Sequence, residues 1–253
     1  MAKDDLYRDP SLYDLEYAHQ VDDAAYYARM AAECGGAVLE LGCGNGRVTL
    51  PIARTGTRVH GIDLAQSMLD DLEQKLSLEP KSVQQHVTWA QGDFCHFQVE
   101  DRYPLVMLPF NALHHCESHH DVLSMLACAR AALTPGGRFA FDCYLPDPTL
   151  YARDPDARHD ERDFIDPRTG QALRSWESGS YDAMTQVHTV RYIYRDQAGE
   201  EFTIELFLRM FYPQELRALI DWAGFRVVHE ASGYSGKPLQ STSLKLVMVL
   251  EPK

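Results

Sequence analysis

The stretch VLELGCGNGRVTLPIA, residues 38–53, constrains this chain more than any other. Residues 38–41 read as a buried parallel strand, Gly42-Cys43-Gly44-Asn45-Gly46 as a turn where backbone must approach a ligand, and Arg47 onward as a helix. Glycine turns of this kind also serve dinucleotides and phosphates, so spacing has to decide. A dinucleotide fingerprint needs G-x-G-x-x-G/A, and the sixth position here is Arg47, whose bulk conflicts with the close helix packing that a third glycine permits. The loop is G-x-G-x-G.

With Glu40 and Leu41 ahead of Gly42, Gly44 and Gly46, the segment resembles the class I S-adenosylmethionine-dependent methyltransferases, whose first motif is an acidic residue, one apolar residue and G-x-G-x-G. The resemblance covers most of the chain. It implies an α/β, Rossmann-like, seven-stranded, mostly parallel sheet with helices on both faces, an antiparallel β-sheet inserted over the pocket, and S-adenosyl-L-methionine as cofactor. The implied plan is one methyltransferase domain over 1–253. Within it, 1–36 is an N-terminal helical cap, 37–144 the cofactor-binding core, 145–212 an inserted loop and sheet acting as substrate lid or dimer contact, and 213–253 a C-terminal helix with antiparallel edge strands.

A chain of 253 residues with 45% hydrophobic composition can bury a full core. The start, MAKDDLYRDP, has no apolar signal region, and the run LKLVMVL is too short to span a bilayer, so no membrane partner is expected. Six cysteines without C-x-x-C pairs read as buried thiols of a cytoplasmic protein. A formal charge of −13 repels a phosphate backbone, so no nucleic-acid partner is expected. The expected partner is a small-molecule methyl acceptor, with the protein a monomer or homodimer.

Five tyrosines precede residue 36, and 21–34 reads as a helix stopped by Gly35-Gly36. Tyr13-Asp14-Leu15-Glu16-Tyr17 is similar to a Y-D-x-x-Y segment that many small-molecule methyltransferases place over the cofactor pocket. That likeness implies Tyr13 against the cofactor, where a ring attracts a sulfonium, and Tyr17 near the acceptor. The alternative is that these rings only pack the cap. A second strand, 57–63, ends in Asp63, roughly 20 residues after the first glycine, where a carboxylate bonds ribose hydroxyls; Leu64 follows it. An ordinary helix start is the competing reading for Asp63. A third strand, 87–92, leads to Asp93-Phe94, which the family resemblance sets at the adenine; the competing reading is a turn aspartate.

A fourth strand, 104–109, ends at Pro109 and delivers Phe110-Asn111-Ala112-Leu113-His114-His115-Cys116 to the carboxyl end of the sheet, where ligands bind. The [ND]-P-P-[YF] signature of enzymes methylating adenine or planar amide-type nitrogens does not match Pro109-Phe110-Asn111-Ala112. The segment looks more like that of glycine and amino-sugar N-methyltransferases, which place a small or polar residue and then a histidine here. Asn111 takes the polar place and His115 the histidine, with His114 as neighbouring rival and acceptor contact. An imidazole near pH 7 can accept the proton that an amine or hydroxyl loses on methylation. Otherwise His115 only caps the next helix. The nearby histidines lack a companion motif at zinc-like spacing, and Ser118-His119-His120-Asp121 has the form of a capping box opening a helix over 118–133, so no metal is expected.

Leu133-Thr134-Pro135-Gly136-Gly137 is a turn before a fifth strand, 139–144, and is a recurrent feature of the resembled family. Residues 146–168 are charged and proline-bearing and are expected as a mobile surface loop. Strand-like runs over 173–181, 186–194 and 201–212 read as an antiparallel sheet, with Trp176, Arg191, Tyr192, Tyr194 and Arg209 as acceptor contacts. Arg209 shares a strand face with Phe207 and Phe211, so it meets either an acceptor carboxylate or phosphate or an internal acid such as Glu205. A helix over 213–223, strands over 225–230 and 244–251, and a loop holding Tyr234 at the pocket rim complete the chain.

The expected function is methyl transfer from S-adenosylmethionine to a nitrogen or oxygen of a small molecule by in-line displacement, with His115 as general base. Methylation of a natural-product oxygen or carbon, or of a peptide N-terminal amine, remains open, as does a cofactor-binding protein without turnover.

Overall fold

The computed structural model describes residues 5–17, 19–166 and 169–253. Its helices are α1 (Pro10–Tyr17), α2 (Asp22–Glu33), α3 (Thr49–Arg54), α4 (Gln66–Ser77), α5 (Lys81–Gln84), α6 (His119–Ala132), α7 (Pro148–Tyr151) and α8 (Pro213–Trp222). Its strands are β1 (Val38–Leu41), β2 (Val59–Asp63), β3 (Val87–Gln91), β4 (Tyr103–Leu108), β5 (Leu133–Tyr144), β6 (His159–Ile165), β7 (Ala172–Asp182), β8 (Val187–Arg195), β9 (Glu201–Arg209), β10 (Phe225–Ala231) and β11 (Lys245–Pro252). They form two compact units, one of residues 20–145 with 211–253, the other of residues through 19 with 146–210. The stretch 1–36, read from the sequence as one cap, is divided between them.

The larger unit is built on a seven-stranded sheet ordered β10-β11-β5-β4-β1-β2-β3. Strands β1 to β5 run parallel, and β11 pairs antiparallel with both β5 and β10. Parallel strands need both faces covered, and alternate residues of the central strands divide accordingly. Leu39, Leu41, Val106, Leu108, Phe139 and Phe141 face one apolar cluster with Leu126 of α6 and Leu216 of α8. Val38, Leu105, Met107 and Ala140 face another with Tyr27 of α2, Ile52 of α3 and Leu72 of α4. The two edge strands and the Rossmann-like order agree with expectation. Because β1 lies between β2 and β4, the chain winds outward in both directions from it, and the loops after β1 and β4 open side by side. A Cβ on Gly42 would stand 3.4 Å from the Cβ of Ala112.

The start of α6 carries the expected capping box, with the Asp121 amide donating to Ser118 Oγ (3.2 Å) and the Ser118 amide to Asp121 Oδ2 (2.9 Å). The segment 133–137 is not a separate turn but the irregular start of β5, its register slipping between Tyr103 and Leu105 while Gly136 takes a φ of +76°.

In the smaller unit β6-β7-β8-β9 form an antiparallel sheet. The mobile loop expected over 146–168 is corrected here, because α7 and β6 occupy much of it. The signal was hidden because charge rather than apolar alternation pairs β6 with β7: Arg162 Nη2 donates to Glu177 Oε1 and Arg174 Nε to Asp163 Oδ1, both at 2.7 Å. No described helix is long and apolar enough to cross a membrane.

Candidate active site

The glycine loop is hooked onto the end of β2. The amides of Gly42 and Cys43 both donate to the Ile62 carbonyl (2.8 and 3.1 Å), and the Gly44 amide donates to Asp63 Oδ2 at 2.7 Å. Gly44 holds a φ of +53° and Gly46 of +86°, and at Gly46 a Cβ would fall 2.5 Å from Leu72 Cδ1. Glycine there keeps α4 close beneath the loop. The other oxygen of Asp63 accepts the Ala65 amide at 2.8 Å. Burial pushes the Asp63 carboxyl up, while these backbone donors and the charge of His115 pull it back down.

Glu40 lies fully inside, 1% exposed, accepting from Thr49 Oγ1 at 2.7 Å. Burial raises its pKa to about 8, against the pull of Thr49 and of Arg47. It braces the start of α3 from below the loop. Leu64 is exposed at the end of β2. At the end of β3, Asp93 is exposed, accepting the Cys95 amide at 2.7 Å and facing His96 Nδ1 at 3.2 Å, and the partly buried Phe94 packs on the core.

Beyond β4, Pro109 is buried, and Phe110 and Asn111 take φ values of +56° and +61°. Two successive left-handed residues other than glycine cost roughly 1–2 kcal/mol each and persist only where their surroundings impose them. Asp142 of β5 does so. Its Oδ1 accepts the Phe110 amide (2.8 Å) and the Tyr27 hydroxyl (2.9 Å), and its Oδ2 accepts the Asn111 amide (3.3 Å), the Tyr234 hydroxyl (2.8 Å) and Lys245 Nζ (3.0 Å). Lys245 Nζ donates also to Asn111 Oδ1 at 3.1 Å. Across the turn the Arg47 guanidinium lies 3.9 Å from the centre of the Phe110 ring, held by Asp23 Oδ1 and the Gln20 carbonyl, each at 2.9 Å.

A 3-10 turn, Ala112–His115, follows. It separates the two histidines. His114 is 1% exposed, its ring stacked between Tyr144 and Phe211, and its Nε2 accepts the Tyr144 amide at 3.1 Å. That nitrogen carries no proton, so the neutral ring is protonated at Nδ1. His115 is half-buried.

Residues 38–137 match a family model described as a methyltransferase domain. Over 231 residues the chain is 26% identical to the cypemycin N-terminal methyltransferase of a Streptomyces species, covering 86% of this chain and 83% of that protein. The fold is similar to that of the CcbJ methyltransferase from Streptomyces caelestis, with a TM-score of 0.78 at 24% identity over 94% of this chain and 96% of that one. It is also similar to that of CalS10, an amino pentose methyltransferase from Micromonospora echinaspora, with a TM-score of 0.69 at 22% identity over 94% and 96%. Residues 38–137 are a methyltransferase domain, and the fold around them is that of the S-adenosylmethionine-dependent methyltransferases.

The residues of the methyltransferase fit that cofactor. Its glycine loop leaves bare backbone where side chains would stand, and a carboxylate is fixed at the end of the neighbouring strand by the Gly44 and Ala65 amides. Asp142, Lys245 and Tyr27 were missed from sequence. The one available signal was an acid inside the apolar run FAFDCY, since a buried charge demands partners.

Tyr13, Tyr17 and Arg209 belong to the smaller unit. Tyr13 is buried and meets the Tyr17 ring at 4.9 Å, edge-on. The Tyr17 and Tyr192 hydroxyls are 3.1 Å apart, and the Tyr194 hydroxyl donates to Glu16 at 2.7 Å. Arg209 is buried with Nη2 on Gln186 Oε1 at 2.8 Å, while Glu205 is taken by Arg191, also at 2.8 Å. Among the described residues no three His, Cys, Asp or Glu side chains are gathered as a metal site.

Proposed function

We propose that this methyltransferase methylates an amine nitrogen of a natural-product or peptide acceptor. The observation that carries the reading is the meeting, at the outward-winding point of the sheet, of a glycine loop tied to Asp63 with the strained Phe110–Asn111 turn and the 3-10 turn after it that bears His115. Similarity to the cypemycin N-terminal methyltransferase supports nitrogen as the atom.

In this reading Gly42, Gly44 and Gly46 hold the methionyl end of the cofactor, Asp63 and Leu64 the ribose, and Asp93 and Phe94 the adenine. Glu40 and Pro109 support these loops from within. S-adenosylmethionine, when bound, supplies a methyl group activated on sulfur. Holding an amine in line with it supplies up to about 7–11 kcal/mol of barrier reduction. An amine arrives protonated at neutral pH, and His115 accepts that proton, contributing roughly 10²- to 10⁴-fold. Asn111 and Tyr234 contact the acceptor, and His114 acts behind them by holding the backbone of Tyr144.

The test is calorimetric titration of S-adenosylmethionine into the wild type and Asp63→Ala, followed by mass-spectrometric assay with a peptide bearing a free N-terminal amine, an amino-sugar nucleotide and a catechol. Binding lost in Asp63→Ala, and a methyl increment on an amine that falls at least about 100-fold in His115→Ala, is the expected outcome. Methylation of the catechol alone overturns the choice of nitrogen. Binding without transfer to any probe favours a protein that holds the cofactor without turnover.

A further inference from the structure

Asp142 and Lys245 both meet the turn proposed to border the reacting atoms. Asp142 is fully buried, and its carboxylate receives five donors from α2, the β4 turn, the β10–β11 loop and β11. Two of these are the amides of Phe110 and Asn111, whose left-handed conformations no side chain of their own explains. Lys245 adds a second constraint. An ammonium has only donors, so the Asn111 amide must turn Oδ1 toward Nζ and its NH₂ group the opposite way. The remaining ligands of the pair, Tyr27 and Tyr234, bring no charge, because burial beside Asp142 keeps both hydroxyls protonated. Asp142 and Lys245 cancel one another at 3.0 Å.

We propose that Asp142 and Lys245 are positioning residues for methyl transfer: they fix the Phe110–Asn111 turn and the face of the Asn111 amide, and they keep the floor of the site electrically neutral beneath the sulfonium. This rests on the reading that the turn after β4 borders the methyl. Breaking the pair leaves either a half-buried ammonium or a fully buried carboxylate uncompensated, and the two breaks have opposite sign.

The experiment is calorimetric measurement of the dissociation constants of S-adenosylmethionine, a sulfonium cation, and S-adenosylhomocysteine, its uncharged thioether, for wild type, Asp142→Asn, Lys245→Met and the double variant. The ratio of the two constants isolates the charge on sulfur from every other contact. In Asp142→Asn the lone ammonium should weaken the cation relative to the thioether by about fivefold, and in Lys245→Met the lone carboxylate should shift the ratio as far the other way. The double variant should return to within about twofold of wild type. A purely structural role moves both ligands together and both single variants in the same direction, which overturns the inference, as does a ratio that stays constant. If Asp142→Asn fails to fold, the sign of the shift in Lys245→Met decides alone. A wild type that binds neither ligand removes the reading of the site itself, and the inference with it; binding with an unmoved ratio removes only the inference.

Discussion

The two sheets of this methyltransferase are held by different forces. In the seven-stranded sheet β1 is buried at every position, and β4 and β5 bring Val106, Met107, Leu108, Phe139 and Phe141 to near-zero exposure. In the four-stranded sheet β6 is largely exposed, and its register with β7 is marked by arginine–carboxylate pairs, while the interior sets Glu16, Ser175 and Tyr194 among Leu173, Trp176, Ile204 and Leu206. The first sheet is specified by what each strand buries on its own. In the second, β7 to β9 still bury alternate residues, and β6 depends on partners that it meets only after folding.

The contrast is broken most directly in the larger sheet. Phe139 is fully buried and packs on Phe141 and Phe225 at 5.8 and 6.4 Å between ring centres. Phe139→Ala should cost about 3–5 kcal/mol through lost burial and the cavity left behind, read as a fall in the denaturant midpoint. A loss below about 1 kcal/mol would show that burial does not govern this sheet.

The charged group buried in that sheet sharpens the point. Glu40, with its pKa raised by burial to about 8 in the fold against an ordinary 4.5, binds a proton in the native state that the unfolded chain has released. Stability is therefore fully present below about pH 4.5 and is drained as pH rises toward 8, by on the order of 4 kcal/mol across that window. Glu40→Gln keeps an acceptor for Thr49 and removes the titration, so its melting temperature should gain on that of the wild type steadily between pH 5 and 8. Parallel pH curves for the two proteins would contradict the burial-driven shift.

In the smaller sheet the corresponding break is Arg162→Met. Arg162 Nη2 stands 2.7 Å from both Glu16 and Glu177, and Glu16 is buried. Methionine keeps the apolar stem and strands the Glu16 charge with the Tyr194 hydroxyl. Because the Arg162 side chain is itself 31% exposed, the loss should be about 2 kcal/mol, below the range for a wholly buried pair. Faster amide exchange confined to β6 and β7 is the measurement. Unchanged exchange there would return the smaller sheet to ordinary apolar packing.

The same contrast explains what was legible in the sequence. The glycine loop and Asp63 could be read because local backbone needs dictate them: a left-handed glycine and a carboxylate at a strand end announce themselves within about 20 residues. The Asp142 cluster could not. Its ligands lie at Tyr27, Phe110, Asn111, Tyr234 and Lys245, and nothing near Asp142 in the chain names them. The order of His114 and His115 was equally hidden, since adjacent residues of a 3-10 turn point apart and only the distant Phe211 and the Tyr144 amide decide which ring goes inward. Strand β6 escaped because its alternation is written in charges, which composition alone reads as loop.

The smallest expected effect tests whether all charge pairs in the smaller sheet count alike. Arg174 bonds Asp163 at 2.7 Å and Glu161 at 3.0 Å, so by geometry it matches the Arg162 arrangement. It differs in solvent: its side chain is 49% exposed, and both carboxylates are more exposed still. Water already satisfies each of these ions when the pair is apart, and salt screens what attraction remains. Arg174→Ala should therefore leave the melting temperature within experimental scatter at physiological salt, with any shift at low salt vanishing as salt is added. A loss equal to that of Arg162→Met, persisting in high salt, would mean that strand register rather than burial gives these pairs their worth, and the four-stranded sheet would then depend on the whole ladder of charges along β6 and β7 instead of on the one carboxylate it hides.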